Sequence, residues 1–177
     1  PDDIINGEVD EDKVVTAAAV GEPPASLADP EAVEAALTAL ESAEKPLVIV
    51  GKGMAWSRAE GEVREFIERT QLPFLASPMG KGILPDDDPL SVGAARSTAL
   101  READVIFLMG ARLNWIMHFG LPPRFAKDVR VVQLDISPEE IGTNVPAEVA
   151  LVGDGKAVTR QLNRALDNRQ WFYPAED

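Results

Sequence analysis

Two short runs of unbroken apolar residues set the strongest limit on what this chain can fold into. Pro46–Val50 reads Pro-Leu-Val-Ile-Val and stops on Gly51; Val105–Met109 reads Val-Ile-Phe-Leu-Met and stops on Gly110. Neither alternates apolar with polar, so a strand built from either needs cover on both faces, as in a parallel sheet sandwiched by helices. Residues 72–77, residues 129–134 and Val149–Val152 are three further strand candidates, the last two closing on Asp135 and Gly153. Helical segments alternate with them. One opens at Asp29-Pro30, where Asp29 caps, Pro30 fits a first helical position, and Val33, Leu37 and Leu40 form a stripe. Residues 59–70 set Val63, Phe66 and Ile67 inward, residues 94–103 form a short helix and residues 156–166 a final one. This alternation predicts an α/β fold with a mostly parallel sheet and helices on both faces through right-handed crossovers.

Charge and cysteine usage narrow the function classes. The chain has 177 residues and a formal charge of -13, from 17 basic and 30 acidic side chains. Nucleic acid and anionic membrane surfaces both need a basic footprint, so neither is an expected partner. Twelve of the acids fall in residues 1–44, where Lys13 is the sole base, so the field elsewhere is milder. Without cysteine there are no disulfides, no thiol catalysis and no thiolate-held metal. No apolar stretch approaches the roughly twenty residues of a membrane helix. The start, Pro1-Asp2-Asp3, lacks a signal peptide's regions and an initiator Met, and reads as a piece of a longer chain.

Chemistry gathers where the strands end. Gly51, Gly110, Asp135 and Gly153-Asp154 all fall at strand carboxyl ends, the edge on which an open α/β sheet binds ligands. In Gly110-Ala111-Arg112-Leu113-Asn114-Trp115, Arg112 offers a planar donor fork suited to phosphate; its other reading is a pair with a carboxylate of the next helix. Trp115 reads as core. Gly51-Lys52-Gly53 is half of a dinucleotide fingerprint, with Trp56 where a third glycine belongs; Lys52 either meets a phosphate or is solvated on a turn. Asp135 is placed like an acid that accepts from a ribose, and Ser137-Pro138-Glu139-Glu140 behind it resembles a helix start that Ser137 caps. Gly153-Asp154-Gly155 lacks the downstream Asn-Asn of a metal–diphosphate motif and suits a strand-to-helix turn beside a nucleotide. Gly93-Ala94-Ala95-Arg96-Ser97 opens a helix, where free N–H groups favour anions; Arg96 either helps hold a phosphate or acyl carrier or is solvated. His118, the one histidine, has no partners for a triad or a metal site and reads as a partly buried packing residue near Trp115 and Phe119. No acid–base pair is evident, and with an incomplete glycine fingerprint a free-standing NAD-dependent enzyme is disfavoured.

Taken in order, Lys45-Pro46-Leu47-Val48-Ile49-Val50-Gly51-Lys52-Gly53, Leu72-Pro73-Phe74-Leu75, Met79-Gly80-Lys81-Gly82, Gly93-Ala94-Ala95-Arg96-Ser97, Gly110-Ala111-Arg112-Leu113-Asn114-Trp115, Gln133-Leu134-Asp135-Ile136 and Val152-Gly153-Asp154 resemble the central domain of thiamine-diphosphate-dependent 2-hydroxyacyl-CoA lyases and oxalyl-CoA decarboxylases. The continuation His118-Phe119-Gly120-Leu121-Pro122-Pro123-Arg124 is more similar to the lyases. The resemblance implies a Rossmann-like, three-layer domain of the DHS type with about six parallel strands. The match spans about Lys45 to Leu166; residues 1–28, acidic and then small and Pro-rich, read as an entry linker, residues 29–168 as the domain and residues 169–177 as a tail. ADP would meet Lys52, Gly110, Ala111, Arg112, Leu113, Asn114, Asp135, Ile136 and Asp154, with acyl-CoA near Gly93, Ala94, Ala95, Arg96 and Ser97. No catalytic residue and no metal ligand fall within this domain: thiamine diphosphate and magnesium would belong to flanking domains of a homodimer or homotetramer that cleaves 2-hydroxyacyl-CoA to an aldehyde and formyl-CoA. Relatives are cytoplasmic in bacteria and peroxisomal in eukaryotes. A further ADP-binding arginine of the family precedes the position of Lys45, and residues 1–44 contain no arginine. The other reading is therefore a structural assembly domain whose nucleotide site has decayed.

Overall fold

A computed structural model describes residues 2–19, 21, 24–169 and 171. After a helical turn at Asp2–Ile5 (α1), the elements run α2 (Pro30–Glu41), β1 (Pro46–Val50), α3 (Lys52–Trp56), α4 (Glu60–Thr70), β2 (Phe74–Ala76), α5 (Arg96–Glu102), β3 (Val105–Met109), β4 (Arg130–Asp135), β5 (Val149–Val152) and α6 (Gly155–Leu166). The five strands form one parallel sheet in the order β2-β1-β3-β4-β5. A parallel bridge from Phe74 to Ser91 adds a single rung outside β2, where a sixth strand would lie.

The double burial predicted from the apolar runs is realised strand by strand. Every residue of β1 and β3 is buried. Alternate side chains go to opposite faces. Val48, Val50, Val105, Phe107, Met109, Val132 and Leu134 pack with α2, α4 and α6. Leu47, Ile49, Ile106, Leu108 and Val131 pack with Leu100 of α5 and with Leu113, Met117 and Phe125 of the long β3–β4 connection. Gln133 of β4 is buried too, and its amide donates to Glu140 O and accepts from Gly142 N, which pins the 137–142 turn.

The helix starts follow the sequence. Asp29 Oδ1 accepts from Glu31 N at 2.7 Å with Pro30 in the first turn, and Asp154 Oδ1 accepts from Ala157 N at 2.8 Å. The helix expected over residues 94–103 is split into a 3-10 turn (Gly93–Ala95) and α5. The turn expected around Lys52 is in fact the start of the short helix α3. Two expectations for the β3–β4 connection are corrected. Trp115 is 73% exposed rather than core, and His118 is exposed with φ 49° rather than partly buried. Both stand on a 3-10 turn, Trp115–Gly120, whose inward residues are Met117 and Gly120.

Packing reaches past both proposed boundaries. Ala28 is buried and pairs through N and O with the Gln161 amide, and Ser26 O accepts from Asp154 N. At the far end Arg169 pairs with Glu34 and Glu41, and Trp171 Nε1 donates to Thr70 O at 2.8 Å. Residue 170 and residues 172–177 of the proposed tail lie outside the described residues.

At the start of β4, Arg130 donates to both oxygens of Glu148, at 2.6 and 2.7 Å. These hydrogen bonds, with Arg130's charge adding, hold the Glu148 carboxyl below the usual carboxylate range against the opposing effect of burial. A depressed carboxylate pKa contributes stability that is present above the unfolded value and is lost as pH falls through the folded one. The pair is two-fifths exposed, so its contribution is under about 1 kcal/mol. Comparing the protein with Glu148→Gln by urea unfolding, the difference seen at about pH 7 should shrink below the ordinary glutamate pKa of about 4.3. A difference that grew on acidification would assign the pair the wrong sign.

Candidate functional site

All five strands deliver their carboxyl ends to one cleft of about 520 Å³. Its walls are Lys52 to Met54, Trp56 and Ser57 after β1, Ser77 to Met79 after β2, and Gly110 to Arg112, Asn114, Ile116 and Met117 after β3. Leu134 and Asp135 at the end of β4, Ile136 after it, and Gly153 and Gly155 after β5 complete it.

The glycines of the floor are there because two strand ends touch. A Cβ on Gly51 would lie 2.2 Å from Gly110 O, and one on Gly110 2.7 Å from Gly53 Cα. Gly110 also has φ +59°, the left-handed region that favours glycine. Gly53 N donates to Gly110 O and Gly51 N to Met109 O, so the β1 and β3 turns are locked together. This close approach throws Arg112 out along the edge.

Arg112 and Asp135 meet as a forked pair. Arg112 Nε donates to Asp135 Oδ2 at 3.0 Å and its NH2 to Asp135 Oδ1 at 3.2 Å. Its NH1 donates to Glu140 Oε1 at 2.9 Å. The hydrogen bonds to Asp135, with the charges of Asp135, Glu140 and Glu139, raise the guanidinium's pKa against the effect of burial. Asp135 is 6% exposed, and its Oδ1 also accepts from Ser137 N at 2.9 Å. Asp135, rather than the Ser137 side chain, therefore anchors the 3-10 turn Pro138–Glu140, since Ser137 makes no side-chain cap. Of the five N–H donors of Arg112, three are engaged by carboxylates among the described residues.

Lys52 opens α3, with its Nζ 5.3 Å from the centroid of the Trp56 ring one turn on. Trp56 is 76% exposed, and Met79 and Ile136, which also line the cleft, are exposed too. Asn114 Oδ1 accepts from Ile116 N and starts the 3-10 turn behind the wall. Of the residues singled out by sequence, Lys52, Gly110, Ala111, Arg112, Asn114, Asp135 and Ile136 come together here. Leu113 does not: its side chain is buried in the second core layer, and its carbonyl accepts from Asn144 Nδ2. Asp154 caps α6, and its neighbours Gly153 and Gly155 form the wall instead. Gly93, Ala94, Ala95 and Ser97 lie off the cleft, while Arg96 grips its outer wall through Ile116 O at 3.1 Å and Met117 Sδ at 3.4 Å. Sequence reasoning misses Trp56, Met79, Met117 and Glu140 as members of the site; Trp56 has a signal, lying four residues after Lys52 on one helical face. Among the described residues no helix is long and apolar enough to cross a membrane.

The thiamine pyrophosphate enzyme central-domain model matches residues 33–162, a span running from α2 to α6 and containing every wall of the cleft. The chain belongs to that family. It is 48% identical over 176 residues to human 2-hydroxyacyl-CoA lyase 1, covering 99% of this chain and 30% of the relative. It is 53% identical over 154 residues to the mouse protein of that name, covering 87% of this chain and 26% of the relative. It is 52% identical over 131 residues to oxalyl-CoA decarboxylase from Escherichia coli K12, covering 74% of this chain and 23% of the relative. The domain thus falls in the 2-hydroxyacyl-CoA lyase and oxalyl-CoA decarboxylase group, and the chain spans less than a third of the length of these relatives.

Proposed function

We propose that this domain is the noncatalytic, ADP-binding unit of a thiamine-diphosphate-dependent acyl-CoA lyase. One observation carries the reading: a lysine, an arginine and a buried carboxylate, contributed by three different strand ends, converge on one cleft at the carboxyl edge. Lys52 and the remaining donors of Arg112 suit the diphosphate, Asp135 Oδ2 suits a ribose hydroxyl, and exposed Ile136 suits the flat face of the base. The backbone at Gly110, Ala111 and Asn114 shapes the floor beneath them. Leu113 and Asp154 support the site from behind, one by packing and one by fixing the turn that brings Gly153 and Gly155 to the wall.

The parent reaction would break the C1–C2 bond of a 2-hydroxyacyl-CoA to give an aldehyde and formyl-CoA, the 118–124 string favouring this over oxalyl-CoA decarboxylation. Thiamine diphosphate and magnesium are assigned to flanking domains, because Gly153-Asp154-Gly155 has no Asn-Asn downstream of it, and Asp154 Oδ1 serves here as the cap of α6. No chemical step is therefore assigned to this domain. Acyl-CoA would pass the Gly93 to Ser97 segment in an assembly of two or four copies, in the bacterial cytoplasm or the eukaryotic peroxisome.

ADP at about a hundred times its Kd should stabilise the fold by roughly 2.7 kcal/mol, several degrees in melting temperature. Arg112→Ala should abolish most of that shift. A folded domain that does not respond to millimolar ADP leaves the second reading, an assembly domain with a decayed site. That reading is favoured by one observation: Arg112 already has carboxylate partners.

A further inference from the structure

The two carboxylates that hold Arg112 are not equivalent. Asp135 is buried at the end of β4, bonded through both oxygens and fixed again by Ser137 N. Glu140 makes one bond to Arg112, from a side chain about one-third exposed on the turn that follows. The backbone of that turn is held separately, by Gln133 on Glu140 O and Gly142 N. The Glu140 carboxylate can therefore swing away without unmaking the turn, whereas Asp135 cannot leave without unpairing a buried charge. Glu140 also holds NH1, so its negative charge lies against the edge of the guanidinium whose remaining donors a phosphate would use.

We propose that Glu140 is a built-in competitor for the phosphate position, an internal anion that a phosphate-bearing ligand must displace from Arg112 and that thereby sets the affinity of the cleft. This deepens the ADP reading and rests on it. Asp135 stays in place as the orienting partner, holding the guanidinium plane while its outer edge exchanges one anion for another. A ligand without a phosphate group leaves the Arg112–Glu140 bond in place and binds independently of it. The competitor also leaves Arg112 paired when the cleft is empty.

The test is calorimetric titration of ADP and of adenosine into the protein and into Glu140→Gln, Glu139→Gln and Arg112→Ala, with unfolding curves to confirm that each is folded. Glu139 lies on the same turn and is exposed, and it acts on Arg112 through charge alone, so its variant measures the effect of a nearby charge. Glu140→Gln should bind ADP about five- to tenfold more tightly, with adenosine unchanged. The gain should exceed that of Glu139→Gln and diminish at high salt. ADP binding by Glu140→Gln alone would equally support the competitor. Equal ADP affinity in the protein and Glu140→Gln, or an equal gain for adenosine, overturns it while leaving the ADP site standing. No binding of ADP by any folded variant overturns both.

Discussion

Gly51→Ala should lower stability by about 3 kcal/mol and the melting temperature by roughly 10 °C. Backbone conformation is not the cause, since Gly51 has φ -116° and ψ -179°, which any residue adopts. The cause is steric: the added methyl would lie 2.2 Å from Gly110 O and 2.5 Å from Ala111 Cα. Both are main-chain atoms and cannot rotate aside. Relief requires the ends of β1 and β3 to separate, which strains the Gly51 N–Met109 O and Gly53 N–Gly110 O bonds. Arg112 moves with that separation, so the variant should also lose its thermal response to ADP. Calorimetry with and without nucleotide checks both effects. A melting temperature within about 2 °C of the parent would show that the strand ends part without cost.

Phe107→Ala should be of similar or larger size, about 4 kcal/mol, for a different reason. Phe107 sits mid-way along β3, between Val48 of β1 and Val132 of β4, and is fully buried. Its ring meets Phe66 of α4 edge to face, with centroids 6.0 Å apart and planes at 76°. Truncation removes that aromatic pair and opens a cavity between sheet and helix that the surrounding strands cannot close. The clash in Gly51→Ala is at the edge and this loss is in the middle, so the ADP response should survive Phe107→Ala at temperatures where it is folded. Urea unfolding gives the stability change, and a loss below about 1 kcal/mol would mean that α4 settles onto the sheet.

The sheet is legible in the sequence because burial on both faces leaves an unbroken apolar signature, and β1 and β3 carry it. The gathering at the carboxyl edge is legible for the same reason, since each strand's punctuation marks that edge. Three things are not. α3 is hidden by Gly51 and Gly53, which have the look of a loop, although the segment from Lys52 to Trp56 closes into a short helix against α4 and α6. Trp115 reads as core because tryptophan is apolar, but the left-handed residues His118 and Phe119 make a tight turn that leaves it outside. The partnership of Arg112 with Glu140 depends on how Gln133, a polar residue in a buried strand, ties down the turn that carries Glu140. Spacing alone does not encode that fold-back.

The anchoring of the two chain ends has a mechanical consequence. Ser26 is bonded to Asp154, between two residues of the cleft wall, so the incoming chain is fastened to the carboxyl rim of the sheet. Trp171 is bonded to Thr70, the last residue of α4, and Arg169 to the end of α2, so the outgoing chain is fastened to the amino rim. A rigid strand separates the two, about 16 Å for five residues. The domain is thus a strut of fixed length. A tug on the incoming chain is felt one peptide away from the cleft wall, while a tug on the outgoing chain is borne by the helices at the opposite rim.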